Sequence, residues 1–346
     1  METFVHTQTD AISTLDLTHQ QWEAYHALLN EVRGRYYQHL DPIFRKMTLE
    51  AFRERTLIAI GTLRATEFVF FDPLTDKPYC WLRYYSGNDD LVFSFDVLAD
   101  AIAPELRRTL AEFLLRALES GQYRRVYTVT QDNRLVSALR EMQPYSDVCL
   151  RLMEFDAENA PMELLAKWAG IFDQMDPPLQ LRFCHNRPDD ILEAYVALND
   201  QLIRDMPIGR DDPNYASSWT VEALQRLNEN NRRSNSQGVY SLFAFNPAGE
   251  MVAMTEMNVR YQPLKMIQGI TGVRADYRGH SLSRALKAKM FQHLLEIYPE
   301  PGIITTTTGP HNAAMLHVNT EMGFKVVRDA FEFGFRDVEL RKYLAG

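Results

Sequence analysis

Ile191, Leu192, Tyr195, Val196, Leu198 and Leu202 recur with the spacing of one helix face, which predicts a helix over 189–205. A Gly/Pro/Asp-rich stretch, MPIGRDDPNY, interrupts the pattern, and a second helix is expected over 221–230. The apolar pattern then becomes that of strands: VYSLFAF (239–245), a turn NPAGE, MVAMTEMNV (251–259) and KMIQGITGV (265–273). Helical spacing returns and runs to 298. A strand GIITTTT (302–308), a helix over 312–322 and closing strands in GFKVVRDAFEFGF follow.

The first half of the chain repeats this order. Helices over 22–37 and 49–61 precede the strands EFVFF (67–71), YCWLRYYS and LVFSFDVL (91–98). A helix over 104–120, a strand RRVYTVT, a helix NRLVSALREM and a strand SDVCLRLMEF come next. The stretch TVTQDNRLVSALREM runs beside TTTGPHNAAMLHVNTEM: a Thr-rich strand, a turn, an Asn, then an apolar helix ending in Glu-Met. Duplication of one unit accounts for this. The expected division is 1–155, a connector over 156–180 with helical character and a Pro-Pro stop, and 181–346. Hairpins followed by a βαβ crossover in each half predict an α/β fold. The sheet should be mixed and mostly antiparallel, with helices on both faces.

Composition narrows the function classes. The chain of 346 residues is 46% apolar and 24% charged, as in ordinary globular proteins. No run of 18 apolar residues and no basic-then-apolar leader occurs, so neither a membrane span nor a signal peptide is expected. Cys80, Cys149 and Cys184 have no metal-ligand or redox spacing, which reads as buried free thiols in a cytoplasmic protein without a metal. A net charge of −9 argues against a general nucleic-acid binder.

One short stretch carries chemistry. Arg278-Gly279-His280-Ser281 stands where a strand hands over to a helix. A helix start leaves backbone N–H groups unpaired and bears partial positive charge, and a turn of small residues there suits a pyrophosphate. The stretch has neither the GK[ST] of a Walker loop nor a G-x-G-x-x-G fingerprint. By itself it reads equally well as a plain turn.

With its surroundings it resembles the GNAT superfamily of acyl-CoA-dependent N-acetyltransferases. The family pattern is an apolar strand ending in Val, then Gln/Arg-x-x-Gly-x-Gly/Ala opening a helix. Here the strand is ITGV and the turn runs from Arg278 to Ser283, with Ser281 where Gly is usual. Downstream, Asn312, an Ala/Met helix and Met322-Gly323-Phe324 resemble the closing motif of the family. The resemblance covers roughly residues 180–335 and extends by element order to the first half, giving two tandem GNAT-like domains.

The resemblance implies acetyl-CoA as co-substrate and direct transfer of acetyl to a small-molecule amine. It places the cofactor on Ile270, Thr271, Gly272 and Val273 of the strand and on Arg278, Gly279, His280, Ser281, Leu282 and Ser283 of the turn. Asn312, Met315 and Asn319 of the next helix complete that set. The N–H of Val273 would polarise the thioester carbonyl. Where the family often has a Tyr as general acid, this chain has Asn319; His317 and Tyr277 are further candidates. Glu256 is the acidic residue inside the central strands and is read either as a general base facing the cleft or as a surface ion-pair partner. Asp205, Asp211 and Asp212 flank the loop that roofs the acceptor site in this family, where they would hold a cationic amine or merely solvate the loop. Met254, Met257 and Met266 favour a short acyl group. In the first half, DVLADAIAPELRRTL has no Gly, and Glu105 beside Pro104 would repel a phosphate, so that domain is expected to have lost CoA binding, Asn133 alone echoing Asn312. The alternative function is a non-catalytic acyl-CoA-binding sensor or partner-binding protein. The expected partner is the amine, with neither nucleic acid nor membrane, in a monomer or homodimer.

Overall fold

The computed structural model describes residues 11–36, 48–63, 65–72, 74–87, 90–121, 123–206, 219–233, 238–260, 265–299 and 302–346. Two compact units form, one from residues 1–148 with 330–346, the other from 149–329.

In the first unit the strands are β1 (Ala11–Ser13), β2 (Thr66–Phe71), β3 (Pro78–Gly87), β4 (Asp90–Val97), β5 (Arg125–Thr130) and the end of β12 (Lys325–Phe335), paired in that order. All neighbours are antiparallel except β4 and β5. Helices α1 (His19–Tyr36) and α2 (Leu49–Leu63) supply one apolar cluster, Trp22, Tyr25 and Phe52 packing on Val69 and Phe71. Helix α3 (Pro104–Gly121) and α4 (Asn133–Glu141) supply the other, on Leu82, Phe93 and Val126. Alternation along the strands sends Val69 and Phe70 to opposite clusters, so each face of the sheet is covered by helices.

The second unit repeats the plan. Its strand order is β6 (Ser146–Asp156), β11 (Ile303–Thr308), β10 (Lys265–Val273), β9 (Met251–Arg260), β8 (Val239–Phe245) and β7 (Gln180–His185). Only β10 and β11 run parallel. Helices α6 (Leu192–Arg204) and α7 (Val221–Arg233) pack on Phe243 and Met254. Helices α5 (Met162–Ala169), α8 (Leu282–Ile297) and α9 (Ala313–Met322) pack on the other face, over Leu242, Ala253, Val259 and Met266.

The linear division at 155 and 181 is therefore corrected. β6 ends the first half of the chain but pairs with β11, from Ile303↔Asp156 to Thr308↔Arg151. β12 ends the second half but pairs with β5, from Phe331↔Thr130 to Phe335↔Val126. Each half lends its last strand to the other unit. The stretch 156–180 is no free connector, because Leu165, Trp168 and Phe172 are buried in the second core. Strands β1 and β7 and the closing helix α10 (Asp337–Ala345) escape the sequence reading. All three are short, and β7 alternates only between half-buried and exposed positions. Cys80 is buried and its thiol pKa is pushed up by desolvation and by Asp96, whereas Cys149 and Cys184 are only half-buried.

Candidate active site at the start of helix α8

After Val273 the chain makes a turn of 3-10 helix, Ala275–Tyr277, before α8 begins. Arg274 steadies this turn through Asp276 and Glu250 and lies over the Tyr277 ring, 5.1 Å from its centroid. Gly279 then takes φ +87° and Ser281 φ +57°, both left-handed. These two reversals tip the turn so that the start of α8 faces outward. Ser281 makes no side-chain cap; its carbonyl accepts from the N–H groups of Arg284 and Ala285. Among the described residues none accepts from the backbone N–H groups of Gly279–Ser283. The result is a sixteen-residue helix with an open positive end, the arrangement that binds an anion.

Ser281 occupies the position where the family pattern has Gly, and its left-handed backbone shows why Gly is usual there. A left-handed L-residue is strained by ~1–2 kcal/mol, and a β-branched one by more. Ser281→Gly should therefore stay within about 1 kcal/mol of the wild type, whereas Ser281→Val should lose about 2 kcal/mol or more in urea unfolding. Equal loss in both variants would show that the turn does not depend on this backbone geometry.

Beside the turn the sheet opens. β10 pairs with β11 only from Lys265↔Ile303 to Ile267↔Thr305, and a bulge between Gln268 and Thr271 then shifts its register on β9. The N–H of Arg274 donates to Val252 O at 2.8 Å. Antiparallel alternation therefore turns the N–H and C=O of Val273 and Thr271 away from β9, toward the gap between β10 and β11. Behind the bulge Gln268 Nε2 donates to Glu256 O at 2.7 Å and to Thr255 Oγ1 at 3.1 Å, which fixes the strand's new phase. Gly272 admits the Leu202 side chain of α6 so closely that an added Cβ would lie 2.4 Å from it.

Other expected residues take different roles. Asn312 caps α9, its Oδ1 accepting from Met315 N at 3.1 Å, which leaves its Nδ2 available. Asn319 is fully buried on α9 and donates to Thr308 Oγ1 at 3.1 Å. Met315 is half-buried against the apolar core. Arg278 donates through Nε to Val273 O at 3.0 Å and pairs with Asp205 through Nη2, so Asp205 is the anchor of this arginine. Asp211 and Asp212 lie outside the described residues. His280 is exposed beside Tyr277 O, Leu282 is buried and Ser283 half-buried. Tyr277 OH accepts from Asn246, and His317 sits 3.3 Å from Glu321 on the exposed face of α9. Met254, Met257 and Met266 are core residues.

Glu256 is an ion-pair partner, as one of its two readings has it, but a buried one and not on a solvent face. Arg187 Nε and Nη2 donate to its two oxygens at 2.6 and 2.7 Å, Tyr195 OH at 3.1 Å and Ser241 Oγ at 3.1 Å, all buried. The Arg187 guanidinium also lies over the Tyr195 ring at 4.7 Å. Desolvation and the adjoining carboxylate push the Tyr195 phenol far above its usual range. A carboxylate with four donors on it has no free lone pair aimed at an amine. The first unit contains a counterpart: Tyr25 of α1 donates to buried Glu67 at 3.0 Å, and Arg83 pairs with the same carboxylate. The signal was in the sequence, as EAYHALL (23–29) beside EAYVALN (193–199).

Comparison with solved structures agrees with this architecture. A tandem GNAT protein from the clavulanic acid biosynthesis pathway superposes with a TM-score of 0.61 at 14% identity, covering 94% of this chain and 97% of that one. The chain has the tandem GNAT fold. A GCN5-related N-acetyltransferase from Sphaerobacter thermophilus also gives 0.61, at 11% identity over 96% and 97% of the two chains. The N-myristoyltransferase of Saccharomyces cerevisiae with bound myristoyl-CoA gives 0.51, at 11% identity over 97% and 80%. No protein-family model and no curated protein sequence matches the chain.

Within this tandem GNAT fold the two units differ at the strand end that matters. In the first unit the residue placed like Val273 is Val97. Its N–H donates to Asp96 Oδ1 at 3.0 Å; its carbonyl accepts from Arg134 Nη1 at 3.0 Å, just as that of Val273 accepts from Arg278 Nε. Pro104 and Glu105 occupy the start of α3. The first unit thus offers no free amide at this strand end, and Glu105 sets a negative charge at the start of its helix. Among the described residues, no helix is long and apolar enough to cross a membrane, and no group of three His, Cys, Asp or Glu is placed to hold a metal ion.

Proposed function

We propose that the second unit is an acetyl-CoA-dependent N-acetyltransferase acting on a small-molecule amine in the cytoplasm. The observation that carries this reading is the adjacency of the outward N–H groups of Thr271 and Val273, on the open edge of β10, to the open start of α8. The amides of Gly279–Ser283 would hold the diphosphate, and the edge of β10 would pair with the amides of the pantetheine arm. The Val273 N–H is aimed where negative charge develops on the acyl oxygen. Arg278, tied to Asp205, holds the turn against the strand end. In the transfer, the amine nitrogen bonds to the acyl carbon and the carbon–sulfur bond breaks. The amine loses one proton to solvent and the sulfur gains one. A thiol with pKa ~8.5 leaves as thiolate without an acid partner.

A second reading, acyl-CoA binding without turnover, is favoured by one specific observation. Asn319 is buried and Glu256 is saturated, so neither handles a proton. The two readings part in a thiol-release assay over an amine library: turnover of any amine supports the first, and binding without turnover supports the second. Acyl length is a separate question, and acetyl-CoA and myristoyl-CoA titrations answer it.

The anion site itself is tested at Gly279. Gly279→Glu should weaken acetyl-CoA binding by about 100-fold or more in calorimetry, through like-charge repulsion. Gly279→Asn, which tolerates a left-handed backbone, should bind within about 10-fold of the wild type. Undiminished binding by the glutamate variant would sink the reading.

A further inference from the structure

The strand that the first half lends to the second unit brings a carboxylate with it. Met153 and Phe155 of β6 point into the core beneath α8, as does Ile304 of β11. Alternation sends Glu154 to the other face of the sheet, together with its cross-strand partner Thr305. Thr305 is also in register with Ile267, on the last rung where β10 and β11 pair before they part. Glu154, Thr305 and Ile267 thus form one row across three strands, at the closed end of the gap that opens toward α8. On this face α6 and α7 cover Phe243 and Met254 of β8 and β9. β11 is left open there, and its Ile303 and Thr307 are exposed. Glu154 is only half-buried, so solutes reach it. Among the described residues no hydrogen bond or ion pair reaches its carboxylate, and none reaches the hydroxyls of Thr305 and Thr307. Asp156, next on the same side, is by contrast engaged: Oδ1 accepts from Glu158 N at 3.1 Å and Oδ2 from Asn159 Nδ2 at 2.7 Å.

The first unit supplies a comparison at the same rung. Its last parallel pair is Val92↔Tyr127, and the residue opposite Tyr127 on β12 is Gly334. A Cβ added to Gly334 would lie 2.9 Å from the Tyr145 ring, which fills the place. So one unit has a carboxylate with open lone pairs here, and the other has an aromatic ring over a glycine. A carboxylate without partners, beside two hydroxyls, is matched by a cation that brings several donors, and an ammonium has three. The nitrogen that attacks an acyl carbon must be neutral, so an ammonium held on Glu154 belongs to a second nitrogen of the same molecule. We propose that Glu154 anchors the acceptor through such an ammonium, and that the acceptor is an amine with two basic nitrogens, a diamine or polyamine. The proposal rests on the acyl-transfer reading of the second unit and adds the class of its acceptor. The residue escapes a reading of the second half alone, because β6 belongs by sequence to the first.

The test is titration calorimetry on the full chain, with spermidine as the probe and CoA present at saturation. Glu154→Gln should raise the spermidine dissociation constant about ten-fold or more, the effect of one charge-assisted hydrogen bond. Glu154→Asp keeps the charge on a shorter stem and should fall between the two. CoA itself should bind both variants within about two-fold of the wild type, since neither touches the helix start. Where turnover is present, the loss should fall on KM for spermidine and leave kcat within about two-fold, because an anchor holds ground state and transition state alike. Spermidine bound equally well by Glu154→Gln, or not bound by the wild type, would overturn the proposal. A matching loss of CoA affinity in both variants would mark a disturbed sheet and overturn it as well. A wild type that binds no CoA sinks the acyl-transfer reading instead; the spermidine titrations of the free protein then decide the cation site by themselves.

Discussion

Replacing Lys287 by methionine is expected to stabilise the protein by roughly 3–5 kcal/mol at neutral pH. Lys287 lies on the buried side of α8 between Leu286 and Ala288, and its ammonium has only the Phe324 ring, 5.6 Å away. Among the described residues none gives it a carboxylate or a hydrogen bond. Burial pushes its pKa down to about 7. Below that pH the amine is charged in both folded and unfolded chains, and the full desolvation cost is present. Above it the folded protein holds a neutral amine while the unfolded chain still binds the proton, so the cost fades as pH rises toward the ordinary lysine value. The urea midpoint of the wild type should therefore approach that of Lys287→Met between about pH 7 and about pH 10. A constant difference across that range would mean that Lys287 stays charged and finds a partner. Methionine matches the length of the stem, so packing contributes little to the comparison.

The opposite effect is expected at Glu256. Glu256→Ala leaves Arg187 buried without its anion, with Tyr195 and Ser241 deprived of an acceptor. Loss of one partner of a buried pair costs about 3–5 kcal/mol, and urea unfolding should show it. The double variant Arg187→Met, Glu256→Leu should recover much of that loss, because no charge then remains buried. Kinetics separate this structural role from a catalytic one. If the proposed transferase activity is present, Glu256→Gln should lower the amount of folded enzyme but leave the shape of the pH–rate profile unchanged. A profile that loses its acidic limb, the fall in rate as a base is protonated at low pH, would restore Glu256 as the general base.

The elements were legible to within a few residues wherever a long apolar period was present, as in α3, α8 and β8–β10. The glycine turn before α8 was legible because its pattern is local: a strand end, Gly279 and a helix start lie within ten residues. What stayed hidden depends on partners far away in the chain. Alternation along SDVCLRLMEF reports which side chains face a core but says nothing of which strand lies alongside, so the pairing of β6 with β11 left no trace. Glu256 looked like a candidate base because its neighbours in sequence are uncharged. Its real neighbours, Arg187 and Tyr195, come from a loop and a helix some sixty residues earlier. Asn319 was assigned to the cofactor by analogy with the family, and its side chain is buried on Thr308 of β11. Lys287 drew no notice because one cation in an amphipathic helix usually reaches water along its stem.

The crossed final strands carry an evolutionary consequence. A freshly duplicated gene can shed either copy, but a protein in which each copy closes its sheet with the other's terminal ribbon has lost that freedom. Deleting the first half would strip the remaining one of β6 and leave β11 with a bare, aggregation-prone border. Selection then keeps the quiescent copy for that strand, while its own cleft is free to drift toward a different guest.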